Sequence, residues 1–199
     1  MVAVELDEER LEALRDPDRG KLDSPIRTGL LPWLLALLER SVGSLTDVFP
    51  GSEMLEAVDE ADRVGAKTIM IDKPIDSILG EIRNVPLLEK SKIGFDVLVA
   101  LVAIITKRNT AELTKTGFDS LIAEFGVKYP TLFRILVRDR DQYMADRLQE
   151  ILDSTTGPVI AIVGFGHVKG IMQHLAMNRQ ARITSSPGLR YEWTLMALL

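Results

Sequence analysis

The chain has 199 residues, 46% of them hydrophobic, a formal net charge of -5 and no cysteine. That is enough chain to bury one sizeable core, while the acidic balance argues against a nucleic-acid partner, the pair Lys107-Arg108 being too small to change it. Lack of cysteine excludes disulfides, thiolate metal sites and cysteine nucleophiles, and fits a reducing, cytoplasmic setting. No signal peptide is expected, because Glu5, Asp7, Glu8 and Glu9 stand where one needs basic and then apolar residues. The apolar runs at 30–38, broken by Pro32, and at 97–105 are each too short to span a bilayer.

In chain order, residues 1–7 read as an apolar strand running into a helix. Asp7 is placed as its N-cap, with Arg10 third in the helix and Glu8 and Glu9 favouring its start. Residues 15–25 carry two prolines and Gly20 and read as an exposed loop. An apolar helix follows at 29–48, interrupted near Gly43. Pro50-Gly51 ends it, and Ser52 is placed as the cap of a helix at 53–64, whose Met54, Leu55, Val58 and Ala61 share a face. Gly65 closes that helix. Thr68-Ile69-Met70-Ile71 is a short buried strand ending at Asp72-Lys73-Pro74. Helices are expected at 76–84, 87–108, 110–125 and 130–152, with breaks at Asn109-Thr110 and between Gly126 and Pro130. After Gly157-Pro158 a strand at 159–163 enters a helix near His167, and residues 190–199 alternate enough to form another strand. Strands alternating with helices predict an α/β fold. It would have a small central sheet, mixed or parallel, flanked by many helices, with a long helical insertion before the strand that carries Gly164-x-x-His167. A single domain over 1–199 is expected. Because its first strand begins at residue 1, it reads as lacking an N-terminal piece or as completed by a partner.

The segment Val159-Ile160-Ala161-Ile162-Val163-Gly164-Phe165-Gly166-His167 carries the clearest chemistry. A buried strand delivers a histidine to its C-terminal end, where open α/β sheets bind ligands. Gly164 and Gly166 permit a tight turn and close backbone approach. A histidine at a helix N-terminus is disfavoured in its charged form, and the neutral ring suits metal binding or general-base work. His174, seven residues on, reads as a surface or packing residue. Glu5, Asp72 and His167 each close an apolar strand and are expected on one sheet edge. Glu5 is either a buried carboxylate for ligation or acid–base work, or half of a buried ion pair with Arg83 or Arg140. Asp72 either joins that site or caps the next helix. Arg138-Asp139-Arg140-Asp141 lies mid-helix, partly beside the core, where Arg140 could hold an anion or orient a carboxylate. Gly164-x-Gly166-x-x-x-Gly170 misses the dinucleotide fingerprint, since Lys169 stands at its third glycine. The signatures of phosphate loops, zincins and serine hydrolases do not occur.

These blocks resemble the TraB/PrgY (pheromone shutdown) family, which is related to the TIKI-type metalloprotease-like proteins. Val4-Glu5-Leu6-Asp7 with Arg10 and Leu14 is similar to its first carboxylate strand and helix. Pro50-Gly51-Ser52-Glu53-Met54 with Ala57, Ala61 and Gly65-Ala66 resembles the next block. Ile71-Asp72-Lys73-Pro74-Ile75 through Arg83 resembles its strand-aspartate segment, with Lys73 and Ser77 where arginine and threonine are usual. Asp139-Arg140-Asp141-Gln142-Tyr143-Met144-Ala145 is similar to the family's E-R-D-x-Y-M-A helix, with aspartate for glutamate. Gly164-Phe165-Gly166-His167 matches its second G-x-x-H motif. The first such motif is expected before the Glu5 strand.

The resemblance implies a metal-dependent, peptidase-like hydrolase acting on short signalling peptides. It would bind manganese, cobalt or zinc through His167 and Glu5. Glu5, His167 and Arg140 would be catalytic, while Glu53, Asp72, Arg83, Tyr143, Gly164 and Gly166 would shape the substrate site. Two other readings stand beside it. One is a non-catalytic protein that sequesters a peptide or small anion through Arg83 and Arg140. The other is a scaffold that homodimerises through the apolar helices at 30–38 and 97–105. Membrane segments found in longer relatives are not expected within this chain.

Overall fold

The computed structural model describes residues 1–16, 51–105, 118–185 and 196–198. The expected apolar helix at 29–48, and most of the loop before it, lie outside these residues. The chain divides into two compact units, the first built from Met1–Arg15, Glu53–Ile75 and Val137–Leu199, the second from Asp16–Ser52 and Asp76–Leu136.

The first unit is an α/β layer structure. Its sheet has four strands, β1 (Val2–Val4), β2 (Thr68–Met70), β3 (Ile160–Gly164) and β4 (Met196–Leu198), in the order β2-β1-β3-β4. All three pairings are parallel, with Val2 opposite Thr68 and Ile160, and Ile162 opposite Met196. The sheet is thus parallel, the narrower of the two possibilities that the sequence leaves open. Ala3 and Val4 point to opposite faces and both are fully buried, as expected for a central strand covered on both sides. One face packs Ala3, Ala161 and Val163 against Ile71, Met144, Leu148 and Ile171. The other packs Val4 and Leu6 against Leu11, Met54 and Val58. Burying each of the larger side chains is worth about 1.5–3 kcal/mol.

Helices flank the strands. α1 (Glu8–Arg15) and α2 (Ser52–Arg63) lie between β1 and β2 in the chain, and α2 buries Met54, Val58 and Ala61 at helical spacing. Gly65, just past α2, has φ +70 and meets nothing within 4 Å of a Cβ placed on it. Gly65→Ala is therefore a strain test without a clash. It is expected to lower the melting midpoint by an amount equivalent to about 1 kcal/mol, and an unchanged midpoint would contradict the left-handed closure.

The second unit is helical: α3 (Ile75–Arg83), α4 (Leu87–Ile105), α5 (Phe118–Lys128) and the short α6 (Pro130–Phe133). Its core gathers Ile78, Ile82, Val85, Ile93, Tyr129, Leu132 and Ile135. The buried Glu89 carboxylate accepts the Leu132 backbone N–H at 2.9 Å, satisfying one orphan donor of the α6 start. The sequence places a break at Gly126, but α5 runs on to Lys128. A Cβ there would meet the Phe133 ring at 3.4 Å, so this glycine makes room for an aromatic side chain. From α6 the chain passes through a π-helical turn, Arg134–Arg138, into α7 (Asp139–Ser154). After α7, β3 leads directly into α8 (Phe165–Ser185). No helix among the described residues is long and apolar enough to cross a membrane.

Candidate functional site

In a parallel sheet every strand presents its C-terminal end on the same edge. Here the chain goes from β1 to β2 on one side, then returns for β3 on the other. The crevice between the ends of β1 and β3 is therefore the switch point, where open α/β sheets place ligands. Glu5 follows β1 and its N–H donates to the Ile162 carbonyl at 3.0 Å, which extends the β1–β3 pairing. Ile71 and Asp72 follow β2 and donate to the carbonyls of Val4 and Leu6 at 3.0 and 3.2 Å. The first turn of α8 brings His167 to the end of β3. Backbone pairing thus fixes Glu5 and Asp72 before any side chain is considered.

The side chains form one connected cluster. Glu5 Oε1 accepts Arg140 Nη2 at 2.5 Å and faces His167 Nε2 at 3.3 Å. Glu5 Oε2 accepts the Gly164 N–H at 2.7 Å. Asp72 Oδ1 accepts Arg140 Nε at 3.0 Å and the Lys73 N–H at 2.7 Å, while its Oδ2 accepts Arg140 Nη2 at 2.6 Å and a short hydrogen bond from Arg10 Nη2. Arg10 in turn donates from Nε to Asp7 Oδ2 at 2.7 Å. Beyond the histidine, Nδ1 lies 2.6 Å from Asp141 Oδ1. From Asp7 through Arg10, Asp72 and Arg140 to Glu5, negative and positive groups alternate, so each of these charges taken from water meets an opposite partner.

Asp72 sits at the centre of this arrangement with a side chain 0% exposed. Burial pushes its carboxyl upward, but the hydrogen bonds and charges of Arg140 and Arg10 outweigh that, leaving it below the usual carboxylate range. For the two guanidiniums burial acts downward, and Asp72, joined by Asp7 at Arg10 and by Glu5 at Arg140, holds both above their ordinary value.

The structure brings Glu5, Asp72, Arg140, Gly164 and His167 together. Of the two roles open to Arg140, it orients carboxylates. Asp72 does not cap the next helix. Asp7 does that, accepting Ile75 N–H at 3.1 Å while also capping α1 through Arg10 N–H at 2.9 Å. Gly164 serves close approach rather than a left-handed turn: a Cβ there would press on Glu5 Oε2 at 3.3 Å, and the positive-φ glycines among the described residues are Gly51 and Gly65. Gly166 lies in the first turn of α8. Glu53 is exposed on α2, and Tyr143 is 36% exposed on α7. Among the described residues neither adds a hydrogen bond to the cluster. Arg83 is an exposed residue at the end of α3, in the second unit. His174 is half-buried on α8.

Reading the sequence for sites missed Asp141, Arg10 and Asp7 as members of the cluster. Asp141 carried a usable signal. With Met144, Ala145 and Leu148 it forms an i, i+3, i+4, i+7 series, and all four are buried. An acid on the apolar stripe of a helix needs a partner, and His167 is that partner.

Among the described residues of the cluster, the donors that face one another and could take a cation are His167 Nε2 and Glu5 Oε1. Their 3.3 Å separation suits neighbouring ligands at metal–donor lengths of about 2.0–2.2 Å, and a carboxylate behind the imidazole is the usual support of a ligating histidine. Among the described residues no group of three or more His, Cys, Asp or Glu is disposed to hold a metal ion. The residues present therefore fit one edge of a divalent site and not a closed cage.

A parallel α/β sheet with a carboxylate–arginine–histidine cluster at its switch point defines the class. The profile of the TraB/PrgY/gumN family matches residues 1–187, and the chain belongs to that family. An uncharacterized protein of Methanocaldococcus jannaschii is 31% identical over 186 residues, which cover 87% of this chain and 46% of that protein. TraB domain-containing proteins of Bos taurus and Mus musculus are 29% and 27% identical, each over 94% of this chain and 59% of their own length. The chain thus spans only about half the length of the curated relatives it matches. No solved structure matches it.

Proposed function

We propose that the switch-point cluster is the core of a metal-assisted hydrolase site that cleaves short peptides. The observation that carries this reading is the convergence of His167 Nε2 and Glu5 Oε1, 3.3 Å apart on the ligand-binding edge of the sheet. An imidazole nitrogen and a carboxylate oxygen at that spacing are a donor pair that one divalent cation can take. His167 and Glu5 would hold the cation, which when bound supplies Lewis-acid polarisation of the scissile carbonyl and a nucleophilic water. Arg140 keeps the Glu5 carboxylate aimed at the histidine, and Asp72 keeps Arg140 in place. The Gly164 N–H fixes the other Glu5 oxygen, so the carboxylate cannot swing away. Asp141 holds the imidazole from behind.

Calorimetric titration with manganese, cobalt and zinc tests this. The chain, its His167→Ala variant and a version extended upstream by a G-x-x-H segment of the kind the family resemblance leads one to expect are compared. Binding that requires His167 and tightens in the extended version supports a metal site completed by the upstream segment. No binding in any of the three, with the fold intact, removes the metal and leaves the peptidase reading without a mechanism.

A further inference from the structure

Asp141 has no part in the sequence-based site, and Gly170 enters there only as a motif glycine, yet the two meet beside His167. Asp141 is buried on α7, and its Oδ1 lies 2.6 Å from His167 Nδ1. Gly170 stands three residues after His167 on α8, one helical turn along the same face. A Cβ placed on Gly170 would overlap the Asp141 carboxylate, striking Oδ2 first, then Cγ at 2.5 Å and Cβ at 3.0 Å. The obstacle includes the stem of a buried side chain, which cannot swing aside as a flexible tip can. Around the pair, Met144, Ala145 and Leu148 of α7 pack with Ile171 and Leu175 of α8 in one core. The helices cannot separate to relieve the overlap without opening that core.

We propose that Asp141 and Gly170 act together as a positioning pair that selects the ring form of His167. The carboxylate accepts only, so Nδ1 keeps its proton and donates it in the hydrogen bond to Asp141, which leaves the Nε2 lone pair on the Glu5 side of the ring. Without it a neutral imidazole favours the opposite form, with the proton on Nε2, and would turn a donor toward Glu5. Gly170 contributes space alone: it allows the acid to reach the ring. Neither residue contacts Glu5 in this scheme, and the inference does not depend on the hydrolase reading.

Nitrogen-15 NMR of the imidazoles tests it, because the chain contains only two histidines. The spectra are recorded without added metal at about pH 9, above the ordinary imidazole range. His174 serves as the internal reference. The wild-type protein is expected to show a protonated Nδ1 and an unprotonated Nε2 at His167. Asp141→Asn, which keeps an accepting oxygen, retains that signature. Asp141→Ala and Gly170→Ala both lose it and shift His167 toward the Nε2-protonated form. A wild-type His167 already protonated on Nε2 overturns the proposal without recourse to any variant. Retention of the wild-type signature in either alanine variant overturns the pair.

Discussion

Asp72→Ala is expected to cost about 3–5 kcal/mol of folding stability, the range for removing one member of a buried ion pair. The reason is that two guanidiniums depend on one carboxylate. Arg140 donates to it twice and Arg10 once, and the Asp72 side chain is wholly excluded from solvent. Chemical denaturation measures the loss, and a double-mutant cycle with Arg140 isolates the shared part. A cost below about 1 kcal/mol would mean that water or Glu5 replaces the missing partner. The same residue makes the fold acid-sensitive. Its carboxyl is held below the usual range in the folded protein. Its contribution is therefore complete above the unfolded-state value and disappears as pH falls through the lower folded value. Stability measured against pH is expected to fall in that acidic window, and Asp72→Asn is expected to flatten that part of the curve.

The second large effect concerns chemistry. On the hydrolase reading, His167→Ala and Glu5→Gln each lower kcat/KM for a peptide substrate by about a thousandfold or more, roughly 4 kcal/mol of transition-state stabilisation. The double variant is expected to be scarcely worse than either single one, because both groups serve one step. Met177→Ala, on an exposed part of α8, is the control and leaves the rate within a few-fold of wild type. Hydrolysis that survives loss of His167 would move the reaction away from this edge of the sheet.

Much of the architecture was legible because it rests on local signals. Strands announced themselves as short β-branched runs, although β2 is half-buried rather than buried as expected, and Asp7 followed by two glutamates marked the start of α1. The edge shared by Glu5, Asp72 and His167 could be foreseen, since parallel strands end together. What escaped depended on contacts between distant segments. Nothing local distinguishes an aspartate that caps a helix from one clasped by two arginines, so Asp72 looked like the former while Asp7 took that work. Gly164 read as a residue for both a tight turn and a close approach, and only the approach is realised, toward the Glu5 carboxylate rather than a ligand. The π-helical turn at Arg134–Arg138 contains no glycine or proline to mark it. Asp141 was overlooked because a run of alternating charges ordinarily faces water, and only its phase with Met144 and Leu148 tells otherwise.

The parallel topology also bears on how the cluster comes into being. Glu5 reaches Arg140 across 135 positions of sequence and the Gly164 amide across 159. Neither contact can form early, since long loops must close before such pairings are rewarded. On the ribosome β1 emerges with its acid exposed, well before either neighbour. It must wait for the 159 positions to Gly164, and the turn beyond, before the histidine arrives. Ordering of the imidazole against Glu5 is thus a late folding event, and until then the acid and the ring stay apart.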